Sequence, residues 1–395
     1  MATNDDASAS LASLQSATKR SGADPSTLPM LDVVPKNGRR YRILTMDGGP
    51  STVDYLRQLR VIEHNRPGFL AKVDCFAGTS DGAWSALFLA SRPQGKLDVG
   101  AIDAAIAFNR RVVESMRLGP FGLLRLATGG FSAIGNRDLL RDLERAYGPG
   151  PDGQPLKLRD VPRDTCAVSF HLGEQPKKPG ARLFHNLLRH GQVLPTGADY
   201  CTPKDLDLTV AEVALRSGSF PILMPVREGY ADGGLFANNP AMAALTLAME
   251  YRQLLDFEDL GNVTVMSCGA DDAAIGGRRV KRAVASKKDL DWGWIPWLLL
   301  PWAPLIMVDA VVTASGRGIS YQCRQLLGPR FQRLGPSMGA TFGEQVLRLI
   351  TGRYQKLYNE ADDRVMQWAM GADSLDFRPS LQWTLEWVDE VWMPD

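Results

Sequence analysis

From Arg40 onward, short apolar runs alternate with amphipathic stretches. Tyr41-Arg42-Ile43-Leu44-Thr45-Met46 reads as a strand, and Asp47-Gly48-Gly49-Pro50 as the turn that ends it. Val53, Leu56, Leu59 and Ile62 then recur at helical spacing. Val73-Asp74-Cys75-Phe76-Ala77 predicts a second strand. It runs through Gly78-Thr79-Ser80-Asp81-Gly82 into an apolar stretch from Ala83 to Ala90. Strand, helix, strand, helix implies a parallel sheet with crossover helices.

Further along, the region from Asp98 to Tyr147 reads as helical with an interruption at Gly129-Gly130. Thr165 to Phe170 and Asn262 to Cys268 read as strands, and Val210 to Arg216 as a short helix. A longer helix, reaching Leu255, is expected after Asn238-Asn239-Pro240, because Asn before Pro is a helix-start signal. Met1 to Pro29 is rich in Ser, Ala, Thr and Asp and lacks a basic start followed by an apolar run, so it does not read as a secretory signal. Residues 1–39 are expected to form a disordered tail.

Composition narrows the class. The 395 residues are 45% hydrophobic and 23% charged, ordinary values for a globular protein with a sizeable core. Lys plus Arg is 45 and Asp plus Glu is 44, so no bulk charge draws the chain to a nucleic-acid polymer or to a membrane. Five scattered cysteines without a CxxC pair suggest neither a zinc site nor a disulfide framework, and point to a cytoplasmic location.

Asp291 to Val308 stands apart: four tryptophans among leucines, broken by Pro296, Pro301 and Pro304, and too short to span a bilayer. Arg278-Arg279-Val280-Lys281-Arg282 precedes it. Residues 278–302 can be read as a peripheral membrane contact or as a core or subunit-contact segment beside a solvated basic loop.

The chemistry concentrates in two places. Gly78-Thr79-Ser80-Asp81-Gly82 fits GxSxG between a strand and a helix, the setting that lifts a serine hydroxyl clear of a sheet beside a helix N-terminus. A serine nucleophile needs a base. The chain has four histidines, none beyond position 190, which excludes the late triad histidine of an α/β-hydrolase. His171 remains one candidate base. Asp232, followed by Gly233 and Gly234, is the other, unless Asp-Gly merely marks a hairpin turn.

Three motifs together resemble the patatin-like phospholipases: Asp47-Gly48-Gly49, the elbow around Ser80, and Asp232-Gly233-Gly234 leading to Asn238-Asn239-Pro240. The stretch Ala214 to Val226 and the run Tyr321 to Leu327 resemble further family segments, so the likeness spans about Arg40 to Leu334. It implies a three-layer α/β/α fold with a mostly parallel central sheet over residues 40–335, followed by a helical extension over 336–395 packed on the domain. It implies a Ser80–Asp232 dyad cleaving carboxylic ester bonds of membrane glycerophospholipids in phospholipase A fashion through an acyl-enzyme. Gly48 and Gly49 match the oxyanion-hole positions, and Asp47, Gly78, Gly82, Gly233 and Gly234 support the motifs. No metal or organic cofactor is implied; activation by a signal or partner, and homo-oligomer assembly, are left open.

Two positions depart from the family pattern. Pro50 stands where a third glycine is usual, and proline has no N–H to donate. Ser51 could substitute as donor, or Pro50 could simply open the following helix. Asp81 places a negative charge beside the nucleophile. A patatin-fold binding or interaction protein with weak or no catalysis is therefore the alternative expectation.

Overall fold

The computed structural model describes residues 38–50, 52–116, 118–119, 121–122, 124–125, 132, 134–173, 179–191, 201–221, 223–269, 306–335, 345, 348, 351–370 and 379–394. All but residues 38 and 39 of the expected tail, and the whole of 278–302, lie outside them.

Among the described residues, a seven-stranded sheet organises the chain. Its strands are β1 (Tyr41–Met46), β2 (Cys75–Thr79), β3 (Asp164–His171), β4 (Gly180–His185), β5 (Tyr230–Asp232), β6 (Val263–Cys268) and β7 (Phe331–Leu334). The order is β4-β3-β2-β1-β6-β7, with β5 paired to β3 off this path. β3, β2, β1, β6 and β7 run parallel, whereas β4 and β5 lie antiparallel to β3. The mostly parallel sheet expected from the strand–helix alternation is thus present.

The helices follow as α1 (Thr52–Asn65), α2 (Asp81–Ala90), α3 (Val99–Ser115), α4 (Asn136–Tyr147), α5 (Val210–Ser217), α6 (Gly234–Ala237), α7 (Ala241–Glu250), α8 (Ile306–Leu327), α9 (Tyr354–Ala369) and α10 (Leu381–Trp387). Side chains of a strand alternate between faces. Tyr41 and Ile43 accordingly enter a core with α7 and α8, while Leu44 and Met46 enter a second core with α1, α2 and α3. Covering both faces gives three layers, the arrangement a parallel sheet requires.

Local differences from expectation have local causes. The second strand is Cys75–Thr79, two residues later than its apolar run suggested, because it pairs in register with Ile43 to Met46. α7 ends at Glu250, well short of Leu255, and the Asn239 carboxamide caps its start by accepting from Ala241 N at 2.9 Å. Asp232-Gly233 is not a hairpin turn: it carries β5 into α6. The described part of α1 begins at Thr52, whose N–H donates to Gly49 O at 3.3 Å, and Ser51, between it and Pro50, lies outside the described residues.

The C-terminal residues reach back to the sheet. Arg42 Nε donates to Trp392 O at 2.7 Å, and the fully buried Trp392 ring stacks on Phe69 with centroids 5.0 Å apart. α9 lies on α1, where Arg364 grips the buried Asp54 at 2.6 and 3.0 Å.

Candidate active site

β1 and β2 end side by side, and the turns beyond them build the site. This is the edge where strand order reverses from β1–β2–β3 to β1–β6–β7, the usual location for a pocket in an open α/β sheet.

Ser80 occupies the sharp turn between β2 and α2 with φ 54° and ψ −126°. A left-handed φ on a residue bearing a Cβ costs roughly 1–3 kcal/mol and persists only where the surroundings impose it. Here they do. A Cβ on Gly78 would fall 2.4 Å from Ala83 Cα, and one on Gly82 would fall 2.3 Å from Asp47 O. Glycine two positions before and after the serine therefore lets α2 fold back on β2 and press against the end of β1. Ser217 Oγ accepts from Ser80 N at 3.0 Å and donates to Val168 O at 2.5 Å, which fixes the elbow from the other side.

Asp232 arrives on β5, opposite Ser169 of β3. Gly233 can follow it only because it lacks a side chain: a Cβ there would meet Val168 O at 2.2 Å. The Asp232 carboxyl is 3% exposed and uses both oxygens. Oδ1 accepts from Gly234 N at 2.7 Å, and Oδ2 accepts from Ser80 Oγ at 2.6 Å. Burial pushes its pKa up to about 6, and the charge of Asp81 adds to the rise; the hydrogen bonds from Ser80 and Gly234 oppose it.

His171 stands elsewhere. Its ring meets Tyr230 edge-on at 4.7 Å, and its Nδ1 accepts from Gly173 N at 3.1 Å. The hydroxyl of Ser80 is directed to Asp232.

The glycine turn departs from the expected oxyanion arrangement. Gly48 lies against the nucleophile, since a Cβ on it would reach Ser80 Cβ at 3.0 Å. Its N–H, however, donates to Asn238 O at 3.1 Å, while Asn238 Nδ2 donates to Gly48 O at 3.2 Å. Asn238 thus locks Gly48 and consumes the donor assigned to it. Gly49, at φ 110°, has no hydrogen bond to its N–H among the described residues. Ser51 lies outside the described residues.

Asp47 serves the scaffold. It is 2% exposed and bound fork to fork by Arg333, at 2.9 and 2.5 Å. Asp81 is engaged by neutral side chains. Its Oδ1 accepts from Asn109 Nδ2 at 2.7 Å, and the Thr52 hydroxyl also reaches it. Though the residue is partly exposed, its carboxyl is desolvated, which pushes its pKa up to about 6.

Arg333, Ser217, Asn109 and Thr52 were not singled out by sequence reasoning. Single polar residues in helices and strands leave no periodic or motif signal.

Known proteins show matching features. The model of the family described as patatin-like phospholipase matches residues 44–245, half of this 395-residue chain. The "Putative sporulation hydrolase CotR" of Bacillus subtilis (strain 168) is 27% identical over 316 residues, covering 75% of this chain and 87% of that protein. "Protein teg" of Priestia megaterium is 26% identical over 316 residues, covering 75% and 88%. Among solved structures, VipD from Legionella pneumophila aligns with a TM-score of 0.31 at 12% identity, over 83% of this chain and 68% of that one. ExoU in complex with SpcU, from Pseudomonas aeruginosa, aligns with a TM-score of 0.29 at 14% identity, over 90% and 69%.

Proposed function

This chain belongs to the patatin-like phospholipase family, and from that premise we propose that it cleaves carboxylic ester bonds of lipids with Ser80 as nucleophile and Asp232 as base. The observation that carries the reading is the 2.6 Å hydrogen bond from Ser80 Oγ to Asp232 Oδ2 at a strained strand-to-helix elbow.

The reaction runs in two halves. Ser80 Oγ attacks the ester carbonyl carbon and passes its proton to Asp232. The carbonyl oxygen becomes an oxyanion, stabilised by Gly49 N–H and the N-terminal turn of α2, whose first N–H groups have no acceptor within the helix. The bond to the leaving alcohol breaks as Asp232 returns the proton to that alcohol, which leaves an acyl-Ser80. Water then attacks the acyl carbon, giving a proton to Asp232. The fatty acid departs as Ser80 Oγ recovers that proton. A base with pKa near 6 suits this work at neutral pH better than an ordinary aspartate near 3.8.

The substrate class we assign is membrane glycerophospholipid, cut in phospholipase A fashion in the cytoplasm at the membrane surface. Peripheral membrane contact through 278–302, activation by a signal or partner, and homo-oligomer assembly belong to the same proposal. Among the described residues no helix is long and apolar enough to cross a membrane.

A second reading rests on the glycine turn. Gly48 has spent its N–H on Asn238, and Pro50 has none, so a patatin-fold binding protein with weak catalysis is consistent with this oxyanion support.

A fluorophosphonate probe and phosphatidylcholine vesicles separate the two. The enzyme reading expects labelling and fatty-acid release by wild type, and neither by Ser80→Ala. Absence of both in wild type, under conditions that label an active patatin, favours the binding protein.

A further inference from the structure

Among the described residues, three carboxylates besides Asp232 stand in the turns and helix starts around Ser80. Two have a cation: Asp47 is held by Arg333, and Asp54 by Arg364. Asp81 has no ion pair among the described residues, although it is the nearest in sequence to the nucleophile. Neutral donors hold it instead. Asn109, 3% exposed on α3, donates from Nδ2 to Asp81 Oδ1 at 2.7 Å. The other end of the same amide, Oδ1, accepts from the hydroxyl of Tyr358 on α9 at 3.0 Å. An ionised carboxylate can only accept, so the amide must turn Nδ2 to Asp81 and Oδ1 to the tyrosine hydroxyl, which donates to it.

We infer that Asn109 and Tyr358 are positioning residues that hold the Asp81 carboxylate out of the oxyanion site, so that α9 helps make Ser80 reactive. The inference rests on the Ser80–Asp232 reading above. Tyr358 lies beyond the residues 44–245 matched by the family model, so this support comes from outside the matched segment.

The physical reason is competition. Asp81 is the first residue of α2, whose N-terminal N–H groups and positive dipole end attract any nearby anion. A released Asp81 carboxylate would turn toward those donors, occupy them and repel the oxyanion. Arg333 and Arg364 neutralise their partners, but a cation at Asp81 would sit beside the base and lower its pKa. Neutral donors restrain the side chain without that effect. Thr52 adds a weaker, shared tie: its single hydroxyl proton serves either Asp81 or Gly49 O, which lies 3.0 Å away. Desolvation, which pushes Asp81 up to about 6, is the expected signature of an inward carboxyl without a counter-ion.

The test compares wild type, Tyr358→Phe, Asn109→Leu and the double variant Asn109→Leu/Asp81→Asn. The readouts are the rate of fluorophosphonate labelling at Ser80 and kcat and KM for a chromogenic ester. Tyr358→Phe keeps the packed ring and removes one hydrogen bond, so labelling should slow about 3- to 10-fold. Asn109→Leu leaves the carboxylate only the shared Thr52 hydroxyl, so labelling should slow roughly 10- to 100-fold, with the loss in kcat rather than KM. Neutralising position 81 in the double variant should recover most of that loss, which a purely structural role for Asn109 does not predict. Unchanged rates in both single variants, or a double variant no faster than Asn109→Leu, would overturn the inference while leaving the dyad in place. A wild type that is not labelled at Ser80 removes the dyad reading and this inference with it.

Discussion

Arg333, on the edge strand β7, places both terminal guanidinium nitrogens on the carboxylate of Asp47 at the end of β1, two strands away. On the way its Nη1 also donates to Ser267 Oγ of the intervening β6 at 2.7 Å. Both partners are less than a tenth exposed, so the pair clamps the glycine turn to the far side of the sheet. Removing one member of a buried pair strands the other charge, at a cost of about 3–5 kcal/mol. Arg333→Met is therefore expected to lower stability by that order in urea denaturation at pH 7. Adding Asp47→Asn should restore part of it. A single variant as stable as wild type would show that the pair is not needed to hold the turn.

The pH dependence of hydrolysis should report the dyad base. Asp232 must be ionised to accept the serine proton, and its pKa stands near 6. Below that value kcat/KM is expected to fall about tenfold per pH unit, and above it to level off. Because the charge of Asp81 contributes to the rise, Asp81→Asn should move the acid limb to lower pH. An acid limb near pH 4 in wild type would contradict a desolvated base.

The same carboxyl should cost stability. Its folded pKa, about 6, lies above the ordinary value of 3.8. The folded state therefore favours the protonated form. That contribution is complete below pH 4 and is lost as pH rises through 6. At pH 8 the ionised, buried Asp232 weakens folding by roughly 2–3 kcal/mol. Asp232→Asn is expected to melt above wild type at pH 8 and to converge with it near pH 4. Parallel melting curves at both pH values would rule this out.

Gly82→Ala tests the elbow without touching a titrating group. Its Cβ would lie 2.3 Å from Asp47 O and 2.4 Å from Met46 O, both backbone atoms that cannot rotate away. Overpacking of this kind costs about 1–3 kcal/mol, and here it pushes α2 off the end of β1. Labelling at Ser80 should fall sharply even where circular dichroism shows a folded protein. Retained labelling would show that the turn tolerates a side chain.

Several features of the site are legible in the chain itself. The run Tyr41 to Met46, the glycines bracketing Ser80 and the glycines after Asp232 are local signals, because each reflects what a few adjacent residues can do in a strand or a tight turn. The sequence alone therefore determined the strand–helix alternation and the elbow, and it offered Asp232 and His171 as candidate bases, with the family resemblance favouring Asp232. Only the tertiary structure decided that Gly48 gives its N–H to Asn238, that Arg333 answers Asp47, and that Asn109 and Tyr358 hold Asp81. Those partners lie 28 to 286 residues apart. A hydrogen bond between them leaves no period or spacing in the chain, since it exists only once the sheet and its helices have packed.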